Sequence, residues 1–417
     1  WFDKDPALTN EDNFDQLRLA TRHAADADQS ATTPCTAWNF FAGHYQSLIE
    51  VGQENGLNAL VASFGPAILD AAVLDALARA KNLSFYQLIQ HNVPGIEPVT
   101  LAPDLSEFNF SQWLASLKPA SQVAARHTVG LVDVISGHPG QVGDGLPESL
   151  SEVIEVYGHR HFKIKVGGDI EADIDRLEQI AAVIDAMPND YLVSLDGNEQ
   201  YEHVQQVVEL WRRIEQRPSL QRLSRAVHFI EQPIMRKHAL TERIDDLAQY
   251  RPVIIDESDS TIDVFAQAVS LGYRGVSSKL CKGLYKSIIN AARCANWQNQ
   301  NGPDDRPVYL MTGEDLTNQA GLAVQQDIAL ANLLGIRHIE RNGHHYHPGL
   351  SYLPEQQRQQ ALELHPDLYA QQHSRVAPRL VDGSFQIGSL QCVGFGFSVL
   401  PDMDAMTSAS DWEFSSL

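Results

Sequence analysis

The sequence is short of basic residues, and this shortage already excludes one class of partner. Its 417 residues include 31 Lys and Arg against 53 Asp and Glu, which gives a formal net charge of −22 at pH 7. Nucleic-acid affinity depends mainly on lysine and arginine side chains that neutralise phosphates, so this charge argues against a nucleic-acid partner. The composition, 43% hydrophobic and 20% charged, is instead typical of a globular protein with a large core in one or two domains.

Cysteines and long apolar runs are scarce as well. The four cysteines, Cys35, Cys281, Cys294 and Cys392, have no CxxC spacing, which argues against a structural zinc site and against a disulfide framework. No segment approaches the roughly 18 consecutive apolar residues that are typical of a membrane span. We therefore expect no membrane partner and a location in the reducing cytoplasm.

From residue 124 to residue 340 the sequence alternates regularly between short apolar runs and helical stretches. The eight runs are VAARHTVGLVDVI, HFKIKV, YLVSLD, AVHFIE, PVIID, GVSSKL, PVYLMT and IRHIE. Strands that are apolar along their whole length are buried on both faces, as parallel strands with helical crossovers are. Eight such units predict an α/β fold, a (β/α)8 TIM-type barrel with its chemistry at the carboxyl ends of the strands. The alternative, an open doubly wound sheet, is disfavoured because no GxGxxG follows the first strand.

The chain extends well beyond the predicted barrel on both sides. Residues 1–123 are expected to form an N-terminal capping region. Apolar residues have helical spacing from Gly65 to Ile89, with a helix end at Asn82 and Leu83, and the segment from Ala25 to Thr36 is expected to be a polar loop. Residues 341–417 are expected to form a C-terminal segment that completes the cap. The natural place for both segments is over the barrel mouth.

Charged residues end five of the apolar strands, at intervals of about one β/α unit. They are Lys163 and Lys165 in HFKIKV, Asp196 in YLVSLD, Glu231 in AVHFIE, Asp256 in PVIID and Lys279 in GVSSKL. A buried charge is costly unless it is paired or bound to a metal. Three carboxylates from consecutive strands would converge at the barrel mouth, and oxygen ligands without His or Cys suit Mg²⁺. A lysine beside them can act as a base if Mg²⁺ and a second ammonium lower its pKa.

As a set, these strand ends resemble the enolase superfamily, and within it the muconate-lactonizing-enzyme-like subgroup of the mandelate racemase/muconate lactonizing enzyme family. The motifs that carry the resemblance are K-x-K at Lys163 and Lys165, LDGN, IEQP, IDES and SSKL, with AAVLDALARAKNLSFYQLI upstream. The resemblance implies a homo-oligomer whose barrel, a (β/α)7β variant in some members, carries an α+β capping domain. Residues 1–45 depart from the pattern, because they show little of the strand alternation with which that domain usually opens.

The resemblance also implies a role for each strand-end residue. The Mg²⁺ ligands would be Asp196, Glu231 and Asp256. Lys165 and Lys279 would be acid/base groups on opposite faces of a small-molecule carboxylate substrate. Lys163 would support the substrate carboxylate and the pKa of Lys165.

The common reaction step implied is removal of a proton α to a carboxylate, with Mg²⁺ stabilising the enediolate. Racemisation or epimerisation, cycloisomerisation and dehydration all stay open as outcomes, and an acid-sugar dehydratase is the runner-up. A non-catalytic barrel that has kept a metal site is the alternative from another class. The related branch with a His-Asp dyad is disfavoured, because strand seven ends LMTGED with Glu314 instead of His.

Four further polar residues near the strand ends each have two interpretations. They are Asn198, Glu257, Glu314 and Glu340. The first two flank expected ligands and either orient them or cap loops. The last two end strands seven and eight, and either point toward the site or form a structural ion pair with Arg341 or Arg337.

Four histidines lie in or after the eighth strand: His338, His344, His345 and His347. They invite a transition-metal interpretation. No second ligand cluster accompanies them, so a polar loop with exposed imidazoles is favoured.

Overall fold

A helical region precedes the barrel in the part of the chain that the structure describes. The structure is a computed structural model, and it describes residues 3–30, 33–140, 142–300, 308–314, 319–343, 347–408 and 411–413. The helices before the barrel are α1 (Asn10–Ser30), α2 (Ala37–Glu54), α3 (Ala59–Ala62), α4 (Phe64–Ala80), α5 (Phe85–Gln90) and α6 (Phe110–Ser116). Helices α1 and α4 pack closely because position 65 is glycine: a Cβ there would lie 2.1 Å from the carbonyl oxygen of Ala20.

Among the described residues, eight parallel strands close into a barrel. They are β1 (Gln122–Val129), β2 (His161–Lys165), β3 (Leu192–Asp196), β4 (Val227–Glu231), β5 (Val253–Ile255), β6 (Gly275–Ser278), β7 (Leu310–Gly313) and β8 (His338–Arg341). Each strand pairs with the next, and β8 pairs in parallel with β1, with Ala125 opposite Ile339. The predicted TIM-type barrel is confirmed.

Helices connect the strands and cover the outside of the barrel. They are α7 (Leu150–Tyr157), α8 (Ile170–Ile184), α9 (Val204–Gln216), α10 (Gln221–Ala226), α11 (Arg236–Ala239), α12 (Asp245–Ala248), α13 (Val264–Ser270), α14 (Leu284–Gln300) and α15 (Leu322–Leu333). Local sequence sets their ends: α7 begins at a capping box of Ser149 and Glu152 and ends at Gly158, whose φ is 68°. Helix α9 buries Val207 and Trp211 at helical spacing.

Side chains alternate between the two faces of each barrel strand. In β2, Phe162 and Ile164 join the apolar core between strands and helices, whereas Lys163 contacts carboxylates from other strands. This is the period-two alternation of a strand, with an apolar face toward the helices and charged residues inside the barrel. Buried charged side chains therefore lie in the interior of the barrel.

The C-terminal segment packs on the barrel and on the N-terminal helices. It contains α16 (Glu355–Leu364), β9 (Tyr369–Gln372), β10 (Arg375–Pro378) and β11 (Ser384–Gln386). Strands β9 and β10 pair with each other, and β11 is antiparallel to the start of β1, with Gln386 opposite Gln122. Further on, the ring of Phe395 stacks on Phe85 of α5 with centroids 3.8 Å apart.

The cap differs from the α+β cap that the resemblance implies. The described residues before β1 form helices and no strand, and the strands of the C-terminal segment pair with each other or with the start of β1. Instead, side chains of the N-terminal region contact residues that follow the barrel strands. Tyr45 accepts a hydrogen bond from the backbone N–H of Ile262 at 3.0 Å, beyond β5, and Lys4 Nζ lies 2.9 Å from Glu199, beyond β3.

Two local predictions need correction, and one is confirmed. The predicted loop from Ala25 is wrong as far as Ser30, because α1 continues to that residue with Ala20 and Ala24 buried along it. The helix end predicted at Asn82 and Leu83 is confirmed: α4 ends at Ala80 and α5 begins at Phe85, and Asn82 between them has a left-handed φ of 53°. Between the runs AVHFIE and PVIID the alternation predicts one helix, from about His238 to Tyr250, and the structure has the two short helices α11 and α12 there instead.

One helical stretch among the described residues, Ala59–Ala80, is long and apolar enough to cross a membrane by length and composition alone. More than half of it is buried inside the fold. Core helices of globular proteins have the same composition, and burial of Leu74 and Ala78 in the helical core fits that assignment.

Candidate active site

The strand-end residues meet at the carboxyl ends of the barrel strands. Lys165, Asp196 and Glu231 are the last residues of β2, β3 and β4, while Asp256 and Lys279 directly follow β5 and β6. In the strand register, Lys165 lies opposite Asp196, and Asp196 lies opposite Glu231. The convergence expected for a barrel of parallel strands is therefore present.

Lys163 lies among four carboxylates inside the barrel. Its Nζ is 2.9 Å from Asp196, 3.0 Å from Glu231, 2.8 Å from Glu314 and 3.1 Å from Glu340. Burial disfavours the charged ammonium, but the four carboxylates outweigh it and hold the pKa of Lys163 well above its ordinary value. With a side chain only 1% exposed, Lys163 is a buried cation that holds these carboxylates together.

Lys165 lies beside it, oriented by two acceptors. Its Nζ is 2.5 Å from Asp196 Oδ2 and also donates to Asn198 Oδ1. Asn198 Nδ2 donates in turn to Glu257 Oε1 at 3.1 Å. Burial opposes the Lys165 ammonium, but Asp196 outweighs it and raises the pKa of Lys165. Asn198 and Glu257 thus form a chain of contacts that fixes the direction of Lys165.

Asp256 lies between two lysines, of which the sequence predicted one. Lys279 Nζ is 2.6 Å from Oδ2, and Lys282 Nζ is 3.1 Å from Oδ1. Ser277 Oγ donates to Oδ1 as well. Burial opposes ionisation, but the two ammonium groups hold the pKa of Asp256 well below its usual value. Lys282, three residues beyond Lys279, is a buried neighbour of the site that sequence reasoning missed.

Glu231 and Glu257 each have one buried carboxylate oxygen that lacks a hydrogen-bond partner among the described residues, Oε2 in both cases. Burial, followed by the charges of Asp196 and Glu314, raises the pKa of Glu231 well above its ordinary value. A buried carboxylate oxygen without a donor is costly. A hard dication is a partner for such an oxygen, so this donor set fits Mg²⁺.

The three expected ligands, Asp196, Glu231 and Asp256, do not surround one point in the structure. Within the described residues, no three His, Cys, Asp or Glu side chains have the spacing of a metal site. Lys163 draws Asp196 and Glu231 toward its own ammonium, and Lys279 draws Asp256. A cation would therefore replace lysine contacts at these carboxylates.

Arg126 is a second charged residue that sequence reasoning missed. Its guanidinium contacts Glu314 and His338 Nδ1, donates to the carbonyl of Gly313 at 3.0 Å, and lies over the ring of Phe229. The signal in the sequence was a charged residue in the middle of an apolar strand. Because the side chain is buried, it must have an anionic partner inside the barrel.

Glu314 and Glu340 both point into the barrel, as one of their two interpretations predicted. Both contact Lys163, and Glu314 also pairs with Arg126. The alternative ion pair with Arg341 or Arg337 is wrong for Glu314, because its ion pairs are with Arg126 and Lys163. Nε and Nη1 of Arg341 have no hydrogen-bond partner within the described residues.

Of the four histidines, the structure describes His338 and His347. His344 and His345 lie outside the described residues. The expectation of an exposed loop imidazole is wrong for His338, which belongs to β8, contacts Arg126 and stacks on His161. Burial, followed by the charge of Arg126, holds the pKa of His338 well below its ordinary value. His347 is half-buried, and burial lowers its pKa.

Comparisons with known proteins agree with the fold and with the strand-end motifs. Residues 145–299 match the family model described as enolase C-terminal domain-like. Among curated proteins, no sequence matches this chain.

Solved structures share the fold at low sequence identity. An enolase from Bradyrhizobium, complexed with magnesium and mandelic acid, has a TM-score of 0.57 and 13% identity, covering 93% of this chain and 81% of that one. A mandelate racemase/muconate lactonizing protein from Paracoccus denitrificans, complexed with magnesium, has a TM-score of 0.54 and 16% identity, covering 88% and 78%. An enolase from Mycobacterium smegmatis, complexed with tartrate, has a TM-score of 0.55 and 16% identity, covering 94% and 77%. The resemblance to the enolase superfamily is confirmed: residues 145–299 match its C-terminal domain model, and these mandelate racemase/muconate lactonizing enzyme-like structures share the barrel fold.

Proposed function

We propose that this chain is a Mg²⁺-dependent enzyme that removes the proton α to the carboxylate of a small-molecule substrate. The position of two lysines carries the proposal. Lys165 ends β2 and Lys279 follows β6, which are four strands apart in either direction around the ring. Lys165 pairs with Asp196, and Lys279 pairs with Asp256. Amines on opposite sides of the mouth are placed to serve the two faces of an α-carbon held between them.

Asp196, Glu231 and Asp256 would hold Mg²⁺, which when bound would supply a Lewis acid for the negative charge that develops on the substrate carboxylate. Lys165 would move the proton. Its pairing with Asp196 favours the ammonium and its burial favours the neutral amine, so it becomes a base once Asp196 is engaged elsewhere. Lys163 keeps its charge among four carboxylates and serves as a fixed cation beneath the reacting groups.

The carboxylate class of substrate has support from the structural neighbours. Two of them hold hydroxy acids, mandelic acid in the Bradyrhizobium enolase and tartrate in the Mycobacterium smegmatis enolase. For this chain we propose the same chemical class, with racemisation or epimerisation, cycloisomerisation and dehydration as outcomes of the common step. Its cytoplasmic location and its assembly as a homo-oligomer stay predictions from the sequence.

Exchange of the α-hydrogen with solvent tests this function directly. The protein is stripped of metal with a chelator and incubated in D₂O with a panel of carboxylic acids that includes both enantiomers of mandelate and the isomers of tartrate. We expect deuterium at the α-carbon of at least one acid, only after Mg²⁺ is restored. Saturable Mg²⁺ binding without exchange in any acid would instead support a non-catalytic barrel that has kept its metal site.

A further inference from the structure

We infer that Lys282 sets the metal preference of the site by immobilising one oxygen of Asp256, which leaves Asp256 a single oxygen to offer a cation. The inference rests on the proposed function, because it takes Asp256 as a metal ligand. It adds a residue that sequence reasoning did not anticipate, and it concerns which cation binds rather than whether one does.

Lys282 is buried in direct contact with Asp256. It lies in the short turn between β6 and α14 and is 2% exposed. Its Nζ donates to the backbone carbonyl of Asp256 at 2.9 Å, to Oδ1 of the same residue at 3.1 Å and to Ser277 Oγ at 2.9 Å, and lies 3.4 Å from Asp259. Ser277 Oγ donates to the same Oδ1. Asp256 is thus anchored at its backbone and at one carboxylate oxygen.

The other oxygen of Asp256, Oδ2, lies beside a proposed acid/base group. Oδ2 accepts from Lys279, a proposed acid/base group, at 2.6 Å. This is the oxygen that becomes available when Lys279 turns to a substrate. Oδ1 of Asp256 is therefore held by Lys282 and Ser277, whereas Oδ2 lies on the side of the barrel mouth.

The two other proposed ligands, Asp196 and Glu231, also have one oxygen that a protein group holds. Asp196 Oδ1 accepts the backbone N–H of Asn198 at 2.9 Å. Glu231 Oε1 accepts from Lys163 at 3.0 Å, while Oε2 has no hydrogen-bond partner among the described residues. Each carboxylate thus has at least one oxygen that a protein group holds in place.

Carboxylates that offer one oxygen each favour Mg²⁺ over Ca²⁺. Mg²⁺ demands a near-ideal octahedron of six ligands and keeps several waters, whereas Ca²⁺ takes six to eight oxygens and commonly binds carboxylates through both. Releasing Oδ1 of Asp256 would allow a two-oxygen contact that benefits only the larger ion. Loss of the Lys282 charge would also reduce repulsion of any dication, but this effect is the same for both ions and cancels in the ratio of their affinities.

Lys286 provides a matched control on the same stretch of chain. It is also buried, lies four residues further on in α14, and donates to the backbone carbonyl of Asp259 at 2.6 Å. None of its described hydrogen bonds or ion pairs is to Asp256. Replacing it by Met removes an equally buried ammonium without releasing Oδ1 of Asp256.

The experiment measures dissociation constants for MgCl₂ and CaCl₂ by titration calorimetry, on the unaltered protein, K282M and K286M, with circular dichroism as a check on folding. In K282M we expect the preference for Mg²⁺ over Ca²⁺ to fall about ten-fold, because removing a group that orients a metal ligand typically costs about ten-fold or more in affinity and here the cost falls on Mg²⁺. K286M should keep the original ratio. S277A, which removes one donor to Oδ1 and little volume, should move the ratio in the same direction by less.

The outcomes separate this inference from the proposed function. No saturable Mg²⁺ binding by the unaltered protein would overturn both. Saturable binding with the same Mg²⁺/Ca²⁺ ratio in K282M and S277A, or an equal change of the ratio in K286M, would overturn the role of Lys282 and leave the proposed function standing.

Discussion

Lys163 and Glu231 form a buried ion pair that uses only one oxygen of the glutamate. Lys163 Nζ lies 3.0 Å from Oε1, while Oε2 has no hydrogen-bond partner among the described residues. The barrel thus supplies its own cation to one oxygen and leaves the other buried without a hydrogen-bond donor from the described residues. Lys163 contacts Asp196, Glu314 and Glu340 as well, so its charge does not depend on Glu231 alone.

Replacing Glu231 with Gln should weaken Mg²⁺ binding about a hundred-fold or more and abolish α-hydrogen exchange. The change removes one of the three charges that balance the dication, while Lys163 keeps three carboxylate partners and the barrel keeps its fold. Titration calorimetry with MgCl₂ measures the affinity, and circular dichroism confirms that the barrel is intact.

The matched control is Glu340→Gln. Glu340 is also buried and lies 3.1 Å from Lys163, but it is not among the proposed ligands. Its replacement should change the Mg²⁺ dissociation constant only a few-fold. An equal loss of affinity in both variants would mean that the surroundings of Lys163 matter rather than ligation by Glu231.

Replacing Arg126 with Met should destabilise the protein by about 3 kcal/mol, because a buried carboxylate, Glu314, loses one of its two cations. Burial opposes the Arg126 charge, but Glu314, Glu231 and Glu340 hold the pKa of Arg126 above its ordinary value. The double variant with Glu314→Gln should recover part of this stability. Urea unfolding of both single variants and the double variant measures the coupling; additive effects would show that Arg126 and Glu314 do not stabilise each other.

Replacing Asp70 with Asn should stabilise the protein at pH 7 by about 1–3 kcal/mol. Asp70 is buried in α4, and its Oδ2 lacks a hydrogen-bond partner among the described residues. Burial, followed by the charge of Asp28, raises the pKa of Asp70 well above its ordinary value.

The sign of the pH dependence follows from that shift. A carboxyl whose pKa is raised in the folded state contributes its full stability below the unfolded pKa, about 4, and loses it as the pH rises through the folded pKa. The advantage of D70N should therefore be present at pH 7 and disappear near pH 4, as measured by urea unfolding at both pH values. An advantage of equal size at both would show that ionisation of Asp70 is not its cause.

The sequence predicted the barrel well because each strand carries its own signal. HFKIKV contains both the apolar residues that face the helices, Phe162 and Ile164, and the lysines that face inward. The charged ends of five strands were visible for the same reason. One charged residue at the end of an apolar run is ambiguous, but a barrel brings all such ends to one face.

What the sequence did not predict were partners that only the closed fold brings together. Arg126 meets Glu314, which is 188 residues away along the chain, and Lys282 reaches back to Asp256 from the turn after β6. The continuation of α1 to Ser30 depends on small buried residues, Ala20 and Ala24. The polar composition of its last turns gave no sign of that packing.

The measurement that most directly tests the two-sided site is α-hydrogen exchange in D₂O, followed by NMR for each enantiomer separately, with Mg²⁺ present. The proteins compared are the unaltered chain, Lys165→Ala and Lys279→Ala. Because the two lysines lie on opposite sides of the ring, we predict that each variant still exchanges one enantiomer through its remaining lysine, that the two variants retain opposite enantiomers, and that neither inverts the substrate. Exchange of both enantiomers after the loss of either lysine would contradict the account.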